Sequence, residues 1–201
     1  MKIRRLGLVA YEPTWRAMRA FNASRTPDTP DQLWLAEHPA VFTLGLAGRR
    51  EHVLAPGDIP VVATDRGGQV TYHGPGQAVV YPLLDLRRLG MGARELVRRL
   101  EQAAIDTLAD HGVGAERRAG MPGVYVAGAK IAAIGLRIAR GCSYHGIALN
   151  VAPDLEPFSR IDPCGYPGLA STRMADLGVR DSMDAVQQKL ANRLEKCLTP
   201  T

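Results

Sequence analysis

The sequence predicts a single α/β (α+β) domain over residues 1–201, in which a mixed, mostly antiparallel sheet is flanked by helices. Short apolar runs rich in Val, Leu and Tyr fill the middle of the chain, and segments with helical spacing lie near its start, between strands and at its end. Several strands follow one another after connections too short for a parallel crossover, which favours antiparallel pairing. A chain of 201 residues can bury enough surface to fold without a disulfide or a metal.

The N-terminal elements are predicted to be a strand and a helix. Residues 2–11 alternate loosely between apolar and polar types, which is typical of a strand. A helix is predicted over 13–24, because Pro13 suits an early helical position and Trp15 and Met18 recur at helical spacing. Short apolar runs then predict strands at 33–35, 41–44, 60–63 and 77–84.

The second half of the chain contains the clearest helix. This helix is predicted over 92–111, where Leu96 and Leu100 begin an apolar row and His111-Gly112 supplies a stop signal. Further strands are predicted at 124–127, 130–139 and 144–151, and a helix at 182–197 closes the fold.

A glycine-rich segment at 65–77 is the first candidate site. Two glycine turns, at 67–68 and 74–76, enclose a short polar strand at 71–73. The spacing matches neither the phosphate-binding P-loop nor the dinucleotide-binding glycine pattern. The segment is therefore either a glycine-rich hairpin or a pocket wall whose backbone amides face a ligand.

Lys130 is the second candidate, because it lies in the apolar run Ala-Lys-Ile-Ala-Ala-Ile. A lysine in such a run either protects the edge of a sheet from further pairing or lies buried at a site. If it is buried, its ammonium would stabilise a neighbouring anion such as a thiolate. The pattern alone does not choose between these interpretations.

Cys164 is the third candidate, because it lies in a Pro-Cys-Gly turn where core packing explains it poorly. Cys142 and Cys197 fit the usual role of a free cysteine as a small buried apolar residue. A thiol reacts as its thiolate, so a nearby cation would activate Cys164, and Lys130 is the obvious one. His73 or His145 could serve instead as a general base.

Charge and composition exclude several function classes. The net charge is +5 with arginines spread along the chain, which gives either a solvated surface or a face that attracts an acidic partner. No nucleic-acid-binding motif occurs, no uncharged stretch suits a membrane span, and the histidines lack metal-binding spacing. Three cysteines without a paired framework favour a reduced, cytoplasmic protein.

Four sequence blocks, in this order, together resemble the octanoyl-[acyl carrier protein]:protein octanoyltransferases, also called lipoyl(octanoyl) transferases. The blocks are RGGQVTYHGPGQ at 66–77, KIAAIG at 130–135, HGIALN at 145–150 and IDPCGY at 161–166. The resemblance covers nearly the whole chain and implies a fold shared with lipoate and biotin protein ligases. It implies octanoyl transfer from octanoyl-acyl carrier protein to a lysine of lipoyl domains, in the E2 subunits of 2-oxoacid dehydrogenases and in the glycine cleavage H protein.

The resemblance also implies roles for individual residues. Cys164 would carry the acyl group as a thioester and Lys130 would lower the pKa of its thiol, with His145 as an accessory group. No ATP and no metal would be needed, and the protein would act as a monomer without a nucleic-acid or membrane partner. The implied substrate pocket consists of Arg66, Gly67, Gly68, Gln69, Val70, Thr71, Tyr72, His73, Ala133, Ile134, Gly135, Gly146, Ile147 and Ala148.

Two departures and two alternatives accompany the resemblance. Tyr125 stands where many members of the family carry Trp, and Cys142 lies close enough in sequence to the site to be a rival nucleophile. One alternative function is an ATP-dependent lipoate or biotin ligase, which would leave Cys164 unexplained. The other is a non-catalytic module that binds carrier protein or lipoyl domains.

Overall fold

The computed structural model describes residues 1–162 and 168–198, which form ten strands and three helices joined by loops and short 3₁₀ turns. In chain order these elements are β1 (Lys2–Leu8), α1 (Tyr11–Ala23), β2 (Gln32–Glu37), β3 (Val41–Leu44), β4 (Val61–Ala63), β5 (Val70–His73), β6 (Gln77–Leu83), α2 (Ala93–Ala109), β7 (Glu116–Arg118), β8 (Met121–Val126), β9 (Ala129–Ala139), β10 (Cys142–Asn150) and α3 (Met183–Leu198).

A seven-stranded sheet in the order β1-β2-β6-β10-β9-β8-β7 forms the centre of the molecule. Only β1 and β2 pair in parallel, and the helix α1 connects them as a crossover. The remaining neighbours in this sheet pair antiparallel. The predicted mixed, mostly antiparallel sheet is therefore confirmed.

Helices α2 and α3 cover one face of the large sheet. Their leucines pack with one another and with Ile131, Ile147 and Leu149 of the central strands in the main core. Every residue of β6 and β10 is buried, because both faces of these two central strands are covered. Strand β6 accordingly has a nearly continuous apolar sequence, whereas β10 also carries the buried polar residues Ser143, His145 and Asn150.

The other face of the large sheet is covered by α1 and by a second, smaller sheet in the order β4-β3-β5. In this small sheet β3 pairs in parallel with β4 and antiparallel with β5. Phe42, Val70, Tyr72 and Ile161 form its own apolar cluster. The site described below lies between the two sheets.

The predicted fold class is confirmed, with corrections to individual elements. The strand predicted over 2–11 ends at Leu8, because α1 begins at Tyr11, two residues before Pro13. The helix predicted over 92–111 ends at Ala109, and Gly112 continues the turn with a φ of 73°. The separate small sheet and the short edge strand β7 were not predicted, because both depend on pairing between distant segments. Within the described ranges, none of the helices has the length and apolar character to cross a membrane.

Candidate active site

A cavity between the two sheets brings most of the candidate residues together. Its floor is formed by β9 and β10 of the large sheet, and its roof is formed by β5 and the glycine-rich loop before it. Its empty space amounts to about 760 Å³ when the solvent at its open mouth is included.

The floor of the cavity is made from two cross-strand pairs of small residues. Ala133 lies opposite Ala148, and Gly135 lies opposite Gly146. A Cβ on Gly146 would meet the Val80 backbone and would stand 2.7 Å from Cδ of Pro82, so only glycine fits at this position. In the neighbouring pair, Ile147 belongs to the main core and Ile134 packs against that core, and both residues also border the cavity.

Arg66 organises the glycine-rich loop from within. Its buried guanidinium donates hydrogen bonds to the carbonyl oxygens of Thr43 (2.6 Å), Gln69 (2.7 Å) and Gly67 (3.0 Å). The loop is also fastened to β9, where the Gly67 N–H donates to the Leu136 carbonyl oxygen at 2.7 Å. The predicted pocket wall is thus held by hydrogen bonds from the Arg66 side chain and by one to β9.

Lys130 lies on the cavity wall and is only 7% exposed. Lys130 pairs with Tyr125 of β8 on one side and with Ser171 on the other, so it is not a residue of a sheet edge. Its Nζ donates to the Pro122 carbonyl oxygen at 3.3 Å and stands 5.4 Å from the centre of the Tyr125 ring. The structure therefore selects the buried interpretation of this lysine.

The β8 strand leaves a notch for the Lys130 side chain. A Cβ on Gly123 would stand 3.1 Å from Cε of Lys130, and the φ of 133° at Gly123 favours glycine as well. The buried carboxylate of Glu101 on α2 accepts a hydrogen bond from the Gly123 N–H at 3.1 Å. Glu101 thereby fixes the backbone turn against which the lysine is packed.

Cys164, the predicted nucleophile, lies in 163–167, outside the described residues. The chain on either side of this segment is held by backbone hydrogen bonds. Before it, the Asp162 N–H donates to the His52 carbonyl oxygen at 2.9 Å. After it, the Ala170 carbonyl oxygen accepts from the Lys130 N–H at 2.8 Å, and the Thr172 N–H donates to the Lys130 carbonyl oxygen at 3.0 Å. Both backbone groups of Lys130 are therefore paired with the segment that follows Cys164.

Cys142, the rival nucleophile, does not line this cavity. It is buried at the start of β10, opposite Ala139, and its Sγ lies 3.9 Å from the Arg140 carbonyl oxygen. This position at the hairpin turn fits the predicted role of a small core residue.

A hydrogen-bonded cluster around the Asp65 carboxylate includes His145, which lines the cavity. Trp15 Nε1 donates to the carboxylate at 2.7 Å, His145 Nε2 donates at 2.9 Å, and the Tyr144 hydroxyl also donates to it. Consecutive side chains on a strand normally point to opposite faces, but His145 has a φ of 58°, and its ring stacks on that of Tyr144. The Tyr11 hydroxyl lies 3.4 Å from the second ring nitrogen of His145.

Electrostatics keep this cluster in one protonation state near neutral pH. Burial lowers the pKa of His145 to about 4, although the hydrogen bond to Asp65 opposes the shift. Burial raises the pKa of Asp65, but hydrogen bonds from Tyr144, His145 and Trp15 outweigh it and hold the pKa below its ordinary value. His145 is consequently a neutral imidazole with both nitrogens facing protein groups, and its role as a general base stays a prediction.

His73 begins a second polar chain on the cavity wall. Its Nδ1 lies 3.1 Å from the amide oxygen of Gln77 and therefore donates to it. The Gln77 amide nitrogen donates to Asn150 at 3.0 Å, and the Asn150 amide nitrogen donates to the Thr172 carbonyl oxygen at 2.9 Å. This chain joins the small sheet to the segment that follows Cys164.

The model for the lipoyl protein ligase A/B catalytic domain matches residues 10–195 of this chain. An octanoyltransferase from Thiobacillus denitrificans is 62% identical over 196 residues, which are 98% of this chain and 90% of that protein. The chain belongs to this octanoyltransferase family. The resemblance stated from the four sequence blocks is thereby confirmed.

Solved structures of lipoate ligases share the fold of this octanoyltransferase family member. A lipoate-protein ligase A bound with ATP superposes with a TM-score of 0.77 at 18% identity, covering 98% of this chain and 86% of that one. A bipartite lipoate protein ligase from Thermoplasma acidophilum, studied with its E2 lipoyl domain, gives 0.75 at 18% identity, covering 98% and 84%. At such low identity these likenesses concern the fold alone.

The octanoyltransferase cavity contains most of the pocket residues that the sequence predicted. Gly67 and Tyr72 are outside its lining, because Gly67 bonds to β9 and the Tyr72 ring packs between Phe42 and Phe158. The predicted residues that line the cavity are Arg66, Gly68, Gln69, Val70, Thr71, His73, Lys130, Ala133, Ile134, Gly135, His145, Gly146, Ile147 and Ala148.

Several lining residues were missed by sequence reasoning. Three of them, Gln77, Val79 and Tyr81, alternate along β6, so a period-two analysis of that strand would have found them. The other missed residues, which come from distant elements, are Tyr11, Asn150, Phe158 and Ser171. Across the described ranges, no group of three or more His, Cys, Asp or Glu side chains is arranged to hold a metal ion.

We expect the stability of this octanoyltransferase family member to fall as the pH drops from about 6.5 towards 4. Burial lowers the pKa of both His38 and His145 to about 4, and burial also holds the pKa of His73 well below its ordinary value. The unfolded chain therefore binds more protons than the native protein in this window. The free energy of unfolding falls by up to about 1.4 kcal/mol for each of these histidines and for each unit by which the pH drops.

Urea unfolding at pH 7, 6 and 5 measures this effect. The variant His38→Gln cannot titrate, and it should remove about a third of the slope of unfolding free energy against pH. An unfolding free energy that stays constant from pH 7 to pH 5 would contradict the neutral state of these histidines.

Proposed function

We propose that the protein transfers an octanoyl group from octanoyl-acyl carrier protein to one lysine of a lipoyl domain, through a thioester on Cys164. As a member of the octanoyltransferase family, the protein is an acyltransferase. The observation that carries the proposal is Lys130, a buried amine on the wall of a cavity with a floor of small residues. Its backbone N–H and C=O both pair with the segment that follows Cys164.

The proposed reaction has two acyl-transfer steps. In the first, the Cys164 thiolate attacks the carbonyl carbon of the donor thioester, the bond to the carrier sulfur breaks, and the carrier thiolate leaves and takes a proton. In the second, a neutral lysine amine of the lipoyl domain attacks the Cys164 thioester. It loses one proton and expels the Cys164 thiolate, which leaves an amide. Aminolysis of a thioester is downhill, so the proposal includes neither ATP nor a metal.

Lys130 has two tasks in this proposal. A cation beside a thiol lowers the thiol pKa, and a shift of two units corresponds to roughly 2.7 kcal/mol. An amine at the same place can also give a proton to the leaving carrier sulfur and accept one from the incoming lysine. The Pro122 carbonyl oxygen and the Tyr125 ring hold the Lys130 ammonium at the cavity wall for both tasks.

The cavity supplies the binding energy for the acyl chain in this proposal. Transfer of an alkyl chain from water onto the Ala133–Ala148 and Gly135–Gly146 floor stabilises the bound state by about 0.8 kcal/mol for each buried methylene. The lining histidines His73 and His145 have lowered pKa values, so the wall carries no charge from them that would oppose an apolar chain.

The proposed partners follow from the same chemistry. The donor is octanoyl-acyl carrier protein, whose acidic surface would be attracted by the net charge of +5. The proposed acceptors are lipoyl domains of E2 subunits and the glycine cleavage H protein. A lipoyl domain also appears with the Thermoplasma acidophilum ligase that shares this fold.

Intact-protein mass spectrometry after mixing with octanoyl-carrier protein, without ATP, tests the proposal. We expect an octanoyl mass increment on the wild type and on Cys142→Ala, and none on Cys164→Ala. Addition of a lipoyl domain should discharge the increment and place it on one lysine of that domain. An increment lost only in Cys142→Ala would identify Cys142, at the hairpin turn, as the nucleophile instead.

The same experiment separates the rival functions. An ATP-dependent ligase would modify the lipoyl domain from free octanoate and ATP while Cys164→Ala remained active. A non-catalytic binding module would show no increment with any donor. Either result would overturn the proposal.

A further inference from the structure

We propose that Glu101, on helix α2, is a positioning residue for Lys130 and acts on it through one peptide group of β8. That peptide group joins Pro122 to Gly123. The inference rests on the proposed function, because it assigns a further residue to the site in which Lys130 acts. Within the described ranges Glu101 is not among the residues that line the cavity, so its effect on the reaction would be indirect.

The peptide group makes one hydrogen bond at each end. The N–H of Gly123 donates to a carboxylate oxygen of Glu101 at 3.1 Å. The C=O of Pro122, in the same peptide group, accepts from Nζ of Lys130 at 3.3 Å. The N–H and the C=O of a planar trans peptide point in opposite directions, so the two bonds can form together. They connect the carboxylate to the lysine amine over at most about 9 Å.

The charge of Glu101 strengthens the grip of the peptide on Lys130. Hydrogen bonds to ionised groups are about twice as strong as neutral ones, and successive bonds in a chain polarise one another. A peptide whose N–H donates to a carboxylate therefore has a stronger acceptor at its C=O end. Glu101 and Lys130 are both only 7% exposed, so water screens this effect little.

The orientation of this peptide group depends on an anchor outside β8. Glycine reaches many backbone conformations besides the φ of 133° that Gly123 adopts. The pairing of β8 with β9 also shifts in register between Val124 and Tyr125, directly after Gly123. A Cβ on Gly123 would stand 2.6 Å from the Ala132 carbonyl oxygen, so a stiffer residue does not fit. The bond from the Gly123 N–H to Glu101 supplies the anchor instead.

The second carboxylate oxygen of Glu101 provides a matched control. This oxygen accepts from Nε of Arg117 at 3.1 Å, and the Arg117 side chain is 35% exposed. A change of either residue breaks the same ion pair, but only a change of Glu101 alters the bond to Gly123. Arg117→Gln therefore measures what the ion pair contributes to the fold, with the peptide group still anchored.

Steady-state octanoyl transfer in Glu101→Leu, Glu101→Gln and Arg117→Gln tests the inference. We expect kcat to fall at least about tenfold in Glu101→Leu, because a hydrogen bond to a charged group is lost, with KM changed less than about threefold. Glu101→Gln should lose less, because its amide oxygen can still accept from the Gly123 N–H. Arg117→Gln should keep the wild-type kcat, and thermal melting shows whether each variant folds.

A double-mutant cycle shows whether Glu101 acts through Lys130. With Lys130→Arg already present, Glu101→Leu should lower single-turnover transfer less than about twofold further, because the residue that it positions is gone. An equal loss in both backgrounds would mean that Glu101 supports the fold and does not position the lysine.

Labelling of amines with acetic anhydride, measured by peptide mass spectrometry, separates this inference from the proposed function. An amine released from the Pro122 carbonyl should react faster, so labelling of Lys130 relative to Lys189 should rise at least about threefold in Glu101→Leu and stay unchanged in Arg117→Gln. If this change occurs but the wild type transfers no octanoyl group, Glu101 positions the lysine and the transfer mechanism fails.

The opposite outcome rejects the inference alone. If the wild type transfers octanoyl groups while folded Glu101→Leu and Glu101→Gln keep its kcat and its Lys130 labelling, Glu101 does not position Lys130. Glu101→Gln decides the question by itself if Glu101→Leu does not fold.

Discussion

Lys130→Arg is expected to lower kcat by at least about 100-fold, because the proposed proton transfer needs a group that can lose its proton. An arginine guanidinium keeps the positive charge but does not deprotonate in proteins. It is also too broad for the notch at Gly123, where even a Cβ would stand 3.1 Å from Cε of the native lysine. A loss of a positioned acid–base group usually costs between 10² and 10⁴ in rate.

Single-turnover transfer from octanoyl-carrier protein, followed by mass spectrometry, measures this loss. Lys189→Arg is a suitable control, because Lys189 is 41% exposed on α3 and pairs with Asp181 at 3.1 Å. The control should keep the wild-type rate. Wild-type rates for Lys130→Arg would remove Lys130 from the mechanism and leave its burial as a structural feature only.

Gly146→Ala should destabilise the protein by about 3 kcal/mol or more, because its methyl group would collide with fixed backbone. The new Cβ would stand 2.7 Å from Cδ of Pro82 and in overlap with the Val80 backbone, on the central strand β6. Separation of β6 from β10 would disturb the cavity floor at the same time. The expected fall in Tm is roughly 6–12 °C, at about 2–4 °C per kcal/mol for a chain of this size.

Thermal and urea unfolding compare this variant with Gly114→Ala. No atom lies within 4 Å of a Cβ built on Gly114, and its φ is outside the left-handed region, so the control should change stability by less than about 0.5 kcal/mol. Equal stabilities for the two variants would mean that β6 and β10 can move apart at little cost. The close approach of β6 to β10 would then not explain why position 146 carries a glycine.

The sequence identified individual residues of the cavity but not the way in which the fold brings them together. Lys130 and the glycine-rich segment were identified because a charged residue among apolar ones and a cluster of glycines are local signals. Whether Lys130 lay at a sheet edge was undecidable, because that depends on β8 and the segment at 170–172 pairing with it from distant parts of the chain. Tyr11 and Phe158 were missed for the same reason, since only the tertiary fold brings them to the cavity.

Local rules also failed at one residue that forms part of the site. Strand alternation predicts Tyr144 and His145 on opposite faces of β10. The positive φ of His145 instead lets both side chains bond to Asp65, a residue 80 positions away from His145. Because the bonding partner Asp65 lies far away in the chain, no periodicity in the local sequence could have indicated this arrangement.

The unequal freedom of the floor residues has an evolutionary consequence. Gly146 and Gly135 face main-chain atoms of Val80 and Gly67, so a mutation there would have to alter the fold before it altered the substrate. Ala133 and Ala148 already carry a Cβ and line the cavity, although Ala148 also packs in the apolar cluster with Val79 and Tyr81. A lineage under selection for a different acyl donor would therefore have few accessible steps, and the shortest of them passes through the two alanines.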